Sequence, residues 1–263
     1  MTILDKLADH ARERVAAASA VLPLEACRER ALAGPAAGFA FENSLKERNS
    51  KGELAIICEC KKASPSRGLI APDFPYLEIA RDYEAAGADG ISVLTEPQWF
   101  LGSDSYLEQI AAQVKTPCLR KDFTVDDYQI YEARLLGASC ILLICSLLKE
   151  KEIVRMLSVC EDLGMSALVE AHDADEVALA VRAGARMIGV NNRNLKDFTV
   201  NTDNSRRLRD LVPEDRIFVA ESGVHSAADV TPLKQTGVNA ILVGESLMRA
   251  DNKAAKIAEF RNA

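Results

Sequence analysis

Four short stretches recur along this 263-residue chain: Ala86-Gly87-Ala88-Asp89, Leu136-Gly137-Ala138-Ser139, Ala183-Gly184-Ala185-Arg186 and Thr236-Gly237-Val238-Asn239. Each follows an amphipathic helical segment and precedes an apolar run, and the glycines stand 50, 47 and 53 residues apart. Glycine just past a helix takes the left-handed conformation at little cost, so each stretch reads as a helix end. Between successive marks lies one further apolar run, at 118–121, 167–170 and 217–221. A period near 50 residues therefore holds two βα units. Four periods, opened by a strand at 54–60 and completed by strands at 90–94, 140–145, 187–190 and 240–243, hold eight strands. This pattern predicts an α/β protein with a closed (β/α)8 TIM barrel rather than an open doubly wound sheet.

Helix-start chemistry agrees. Thr124 with Asp127, Asp173 with Glu176, and Ser226 with Asp229 have the spacing of an N-cap and its N3 partner. Val125, Tyr128, Tyr131 and Leu135 then form a helical stripe expected to face the sheet, so the tyrosine pair reads as packing rather than a binding platform. Residues 1–50 precede the first strand. Leu4, Leu7, Ala8, Ala11 and Val15 share a helical face, and a second helical piece spans 24–32 before Gly34-Pro35-Ala36-Ala37-Gly38 breaks it. The expectation is one barrel domain over 1–263, with 1–50 a helical extension packed on it.

Composition excludes several functions. A net charge of −7 and a pI near 5.2 argue against nucleic acid or an anionic membrane as the main partner. The longest strongly apolar run, 140–148, is too short to span a bilayer, and the charged N-terminus holds no signal-peptide core. A cytoplasmic protein is expected. Seven cysteines are scattered, five of them in strand-like runs, which fits reduced core thiols. His10, His172 and His225 are far apart and suggest no metal cluster.

Charge gathers where strands end. In "IICECKKASPSRG" (56–68), Glu59 and Lys61 alternate and so share one face as the strand gives way to a Ser/Gly loop. Lys121 ends the third strand, Glu170 the fifth and Glu221 the seventh. A (β/α)8 barrel reacts at the C-terminal ends of its strands, so three carboxylates and two lysines would converge on one mouth. One such charge is ordinarily a solvated rim residue. Five around one barrel are hard to explain that way, since like charges repel and buried ones desolvate. Ser222-Gly223 and Gly244-Glu245-Ser246 follow strands seven and eight, the usual phosphate cradle of the fold, where glycine lets backbone N–H groups approach an anion. Glu245 is expected to take part through its backbone only, its carboxylate turned away.

With these motifs in view, the chain resembles indole-3-glycerol phosphate synthases over essentially its whole length. The resemblance rests on Glu59-Cys60-Lys61-Lys62-Ala63-Ser64-Pro65-Ser66-Arg67-Gly68, Ser92-Val93-Leu94-Thr95-Glu96 and Leu119-Arg120-Lys121-Asp122-Phe123. It continues through Val169-Glu170, Gly189-Val190-Asn191-Asn192-Arg193-Asn194-Leu195, Glu221-Ser222-Gly223 and Val243-Gly244-Glu245-Ser246-Leu247-Met248. It implies ring closure of 1-(2-carboxyphenylamino)-1-deoxyribulose 5-phosphate with loss of carbon dioxide and water. It implies no metal and no cofactor, because the aniline nitrogen supplies the electron push.

Carried over by position, Lys121 would be the general acid at the carbonyl and Glu170 the general base for rearomatisation. Lys61 would bind the substrate carboxylate and is a candidate to protonate the departing hydroxyl. Glu59 would position the lysines, while Asn191, Glu221 and Ser222 orient substrate. Arg193 would meet the carboxylate or phosphate, and Ser64, Gly223, Gly244 and Ser246 would grip the phosphate. Asn194 departs from the aspartate common in the family. The chain ends soon after the eighth strand, which reads as the monofunctional form, a monomer or weak homodimer with a small phosphorylated substrate as partner. A Schiff-base aldolase-type barrel, a phosphoribosylanthranilate isomerase-like barrel and a catalytically silent barrel used for binding are the alternatives.

Overall fold

The computed structural model describes residues 2–194 and 198–263. Its centre is a closed, fully parallel eight-stranded barrel. The strands are β1 (Ala55–Cys60), β4 (Gly90–Leu94), β5 (Cys118–Lys121), β6 (Cys140–Ile144), β7 (Ser166–Ala171), β8 (Met187–Asn191), β9 (Ile217–Glu221) and β10 (Ala240–Val243). Each neighbours the next in sequence, and β1 closes the ring between β4 and β10. The spacing glycines do what the repeat requires: Gly87, Gly137, Gly184 and Gly237 have φ of 80°, 88°, 87° and 75°.

Alternation sorts the strand side chains into two apolar bodies. Ala55, Ile57, Leu119, Leu142, Leu168, Met187, Val219 and Leu242 fill the barrel interior, while Ile56, Cys58, Ile91, Val169 and Ile241 pack outward against the helices. The interior parity, carried two residues further up β1, β5, β7 and β9 and four further up β8, delivers Glu59, Lys121, Glu170, Glu221 and Asn191 to the mouth. The site is thus a continuation of the core pattern in polar residues.

Three helices precede the barrel: α1 (Ile3–Val21), α2 (Leu24–Ala33) and α3 (Ala40–Ser50). The last closes the N-terminal end, where buried Phe41 and Leu45 join the interior cluster. Gly90 makes room there, since a Cβ would lie 2.7 Å from the Phe41 ring. Helix α1 lies instead across the mouth. Arg14 grips Asp122 with both terminal nitrogens, at 3.0 and 2.6 Å, and His10 Nδ1 lies 3.1 Å from the buried Glu96.

Two local expectations need correction. Thr124 does not cap a helix; α6 (Tyr128–Leu135) begins later, and the Gln129 side chain organises the turn by accepting from Val125 and Asp126 N–H groups. On that helix Tyr128 and Tyr131 are buried but Leu135 is exposed, so the stripe stops short of its end. Asp173 and Ser226 do cap α8 (Ala174–Arg182) and α10 (Ala227–Gln235). The loop after β1 folds back as a small hairpin, β2 (Ala63–Ser64) on β3 (Gly68–Leu69). All seven cysteines are buried and free, and the described residues contain no group suited to hold a metal ion. No described helix is long and apolar enough to cross a membrane.

Candidate active site

One cavity at the C-terminal end of the barrel is lined by every residue singled out above: Glu59, Lys61, Ser64, Lys121, Glu170, Asn191, Arg193, Glu221, Ser222, Gly223, Gly244 and Ser246. Its apolar wall comes from Phe100, Phe123, Leu142 and Ile144, and from Ile3, Leu4 and Leu7 of α1. The part played by α1 was not legible in sequence, because an amphipathic helix does not say which end of a barrel it covers.

Two cations organise the floor. Lys61 Nζ donates to Glu59 Oε1 at 2.6 Å, and Ser92 Oγ donates to the other oxygen at 3.4 Å. Lys121 Nζ faces two neighbouring carboxylates, 3.6 Å from Glu170 Oε2 and 3.8 Å from Glu221 Oε2. Burial alone would lower the Lys121 pKa, but the charges of Glu170, Glu221 and Glu59 outweigh it and the ammonium is held firmly. Burial likewise works against the Glu59 anion, and Lys61 and Lys121 overcome it, leaving that pKa below the ordinary value.

The remaining carboxylates split. Glu170 resists desolvation through Lys121, then His172, and stays below the usual range. Glu221, desolvated and facing the Glu170 charge, is pushed well above it. The two neighbouring carboxyl groups are thus pushed in opposite directions, Glu170 toward the anion and Glu221 toward the protonated form. Gly189 is required beside them, because a Cβ there would collide with Glu221 Oε1.

The far side of the mouth is shaped by backbone. Ser222 adopts a left-handed φ of 65° and its carbonyl accepts from the Asn192 amide at 3.0 Å, which turns Ser222-Gly223 into the cavity. Ser246 Oγ donates to the Val224 carbonyl at 2.9 Å, tying the loops after β9 and β10 together. The Glu245 carboxylate pairs with Arg67 and Arg249, and Glu245 and Arg67 both line the cavity. Arg193 is held by its backbone to Asn191 Oδ1 and by its guanidinium to the Phe198 carbonyl. Burial and then the nearby Arg67 charge lower its pKa against the opposing charges of Glu245 and Glu59. Leu195, the end of its motif, lies outside the described residues.

Gly244 has a second reason to be glycine. A Cβ would strike Glu59 Oε1 and lie 2.8 Å from Lys61 Nζ, so its backbone abuts the charged floor. His172 was missed in sequence as a site residue. It follows Glu170 by two positions, the same alternation that singled out Glu59 and Lys61, and its Nε2 lies 3.4 Å from Glu170 Oε1.

Comparison with known proteins agrees with this picture. The family signature described as indole-3-glycerol phosphate synthase matches residues 4–260. An indole-3-glycerol phosphate synthase of Ruminiclostridium cellulolyticum is 56% identical over 85% of this chain and 84% of its own. That of Endomicrobium trichonymphae is 48% identical over 99% of this chain and 100% of its own. Among solved structures, 3-hexulose-6-phosphate synthase from Salmonella typhimurium superposes with a TM-score of 0.66 at 14% identity, over 80% of this chain and 97% of its own, a likeness of fold alone.

Proposed function

The chain belongs to the indole-3-glycerol phosphate synthase family, and we propose that its charged mouth carries out that ring closure with Lys121 as acid and Glu170 as base. The protein is a decarboxylating carbon–carbon lyase of tryptophan biosynthesis. Its substrate is the phosphorylated 1-(2-carboxyphenylamino)-1-deoxyribulose 5-phosphate.

Lys121 gives a proton to the ribulose carbonyl oxygen as the aniline ring carbon bearing the carboxylate attacks the carbonyl carbon. Carbon dioxide leaves from that ring carbon and its electron pair restores the benzene ring. Lys61, which first pairs with the substrate carboxylate, gives a second proton to the new hydroxyl, which departs as water. Glu170 takes the carbon-bound proton whose loss completes the indole. Two protons are donated and one is accepted, matching the single proton consumed when a carboxylate is lost as carbon dioxide.

Glu59 holds Lys61 in place, Asn191, Glu221 and Ser222 orient the chain of the sugar, and Ser64, Gly223, Gly244 and Ser246 grip the phosphate beside Arg193. The observation that carries this reading is an ammonium from β5 held against two carboxylates, from β7 and β9. A Schiff-base nucleophile needs a neutral amine, whereas Lys121 is held as the cation. The reading includes one domain over 1–263, supported by the ties of Arg14 and Phe41 to the barrel. It also includes a cytoplasmic location and a monomer or weak homodimer, the mouth being drawn from the closed ring of strands of one chain.

The test is an assay of the purified protein with this substrate. Indole fluorescence should rise with one equivalent of carbon dioxide released per indole formed. Neither signal from a folded protein would reject the reading.

A further inference from the structure

Among the titratable groups in contact with the cavity's lining, the half-buried His172 has no part in the chemistry above. Its ring lies between two carboxylates. Nδ1 is 3.0 Å from Glu176 Oε2, which also accepts from the His172 backbone N–H at 2.8 Å, while Nε2 faces Glu170 Oε1 at 3.4 Å. Asn204 fixes the same residue from α9 (Asp203–Leu208), its amide donating to the His172 carbonyl at 3.0 Å. Among the described residues Nε2 finds no hydrogen-bond partner, so the ring is gripped on one side and aimed on the other.

A neutral imidazole carries a single N–H, yet each nitrogen here faces a carboxylate. Only the imidazolium offers both a proton. The charged groups facing it are Glu176 from α8, Glu170 from β7 and Lys121 from β5. Burial and Lys121 oppose the charge, but the two carboxylates prevail and the pKa lies above 6.5.

The consequence concerns timing. Lys121 is the strongest cationic support of Glu170, and His172 the next. Once Lys121 has given its proton to the carbonyl oxygen, Glu170 still has to wait as an anion beside Glu221 until the last deprotonation. We propose that His172 is a positioning residue for Glu170, an imidazolium gripped by Glu176 that keeps Glu170 ionised while Lys121 is neutral. No proton leaves His172 in this role. The inference rests on Glu170 being the base.

The experiment follows kcat against pH at saturating substrate for the wild type, His172→Gln and Glu176→Gln. Gln at 172 keeps an N–H donor toward Glu170 without the charge. Removing a neighbouring cation raises a carboxyl pKa, so the acid limb of kcat should move up by about one unit. The alkaline plateau and KM should stay near wild type. Glu176→Gln should shift the limb in the same direction by less. An unmoved limb, or a kcat lowered equally at every pH, overturns the inference.

A second measurement does not depend on the folding of a His172 variant. The NMR titration midpoint of His172 should fall in Glu170→Gln relative to wild type, and an unchanged midpoint also overturns the inference. Turnover separates the two readings. Wild-type kcat in Glu170→Gln would remove Glu170 as base and this inference with it, whereas a loss of about 10²–10⁴-fold beside an unmoved limb in His172→Gln would sink the inference alone.

Discussion

Arg120 and Lys121 are adjacent on β5, one pointing out of the barrel and one in, and each is a buried cation among carboxylates. Outside, the guanidinium meets Asp104 at 2.7 Å, Glu132 at 2.8 Å, the Gln129 carbonyl at 3.1 Å and Thr95 Oγ1 at 3.3 Å. Inside, the ammonium stands off at 3.6 and 3.8 Å, and among the described residues Glu170 Oε2 and Glu221 Oε1 have no hydrogen-bond partner. The same ingredients serve two ends. A fully satisfied buried network fixes the structure, and a partly satisfied one holds polar capacity that a substrate can complete.

The sharpest way to break that comparison is to remove each cation. Lys121→Met should cut kcat by about 10²–10⁴-fold, the scale of a lost general acid, with KM little changed. Arg120→Met should instead cost about 3–5 kcal/mol of stability, because it strands partners in a buried network. Single-turnover kinetics and urea unfolding of both variants decide it. If the two exchange phenotypes, the outer network carries chemistry and the division drawn here is wrong.

A smaller effect is expected at the seam between floor and cradle. Gly244→Ala should displace Glu59 and Lys61, and a misplacement near 1 Å costs on the order of 10²-fold in rate. Since Gly244 also borders the phosphate grip, KM should rise together with the fall in kcat. A variant that changes KM alone would mean the added methyl reaches only the cradle.

The smallest effect has opposite signs in the two networks. Glu221 has a raised folded pKa, so the folded state binds more protons than the unfolded chain once pH exceeds the ordinary value of 4.5. Stability then declines as pH climbs from there. Glu221→Gln should therefore be more stable than wild type near neutrality, with the gap closing toward pH 4. Asp122 is depressed, since Arg14 and Arg120 outweigh its burial. Its contribution is present above the unfolded pKa and is lost as pH falls through the folded one. Asp122→Asn should accordingly be less stable at neutral pH, with the deficit vanishing in acid. Urea unfolding of Glu221→Gln at pH 7 and pH 4, and of Asp122→Asn at pH 7 and well below its ordinary value of 3.8, tests the pair, and a shared sign at pH 7 would refute the contrast.

The eight strands, their order and the charged ends of β1, β5, β7 and β9 were legible in the chain itself. The reason is periodic. Alternation along a strand fixes which side chains enter the barrel, and a glycine after each marked helix fixes where the next strand begins. Glu170-Ala171-His172 obeys the same alternation, so His172 was within reach of the rule that found Lys61.

Distances across the barrel were not legible. That Lys121 meets both Glu170 and Glu221, that the pKa values of these two are pushed in opposite directions, and that α1 rather than α3 roofs the mouth all depend on which strand ends face one another. The turn at Thr124 shows the same limit on a small scale, since its capping pattern is overridden by Gln129, whose side chain takes the free N–H groups. Sequence spacing determined which face each charge occupies, because the strand period is local. The closure of the ring decided which charges meet, because that contact is made only when β1 pairs with both β4 and β10.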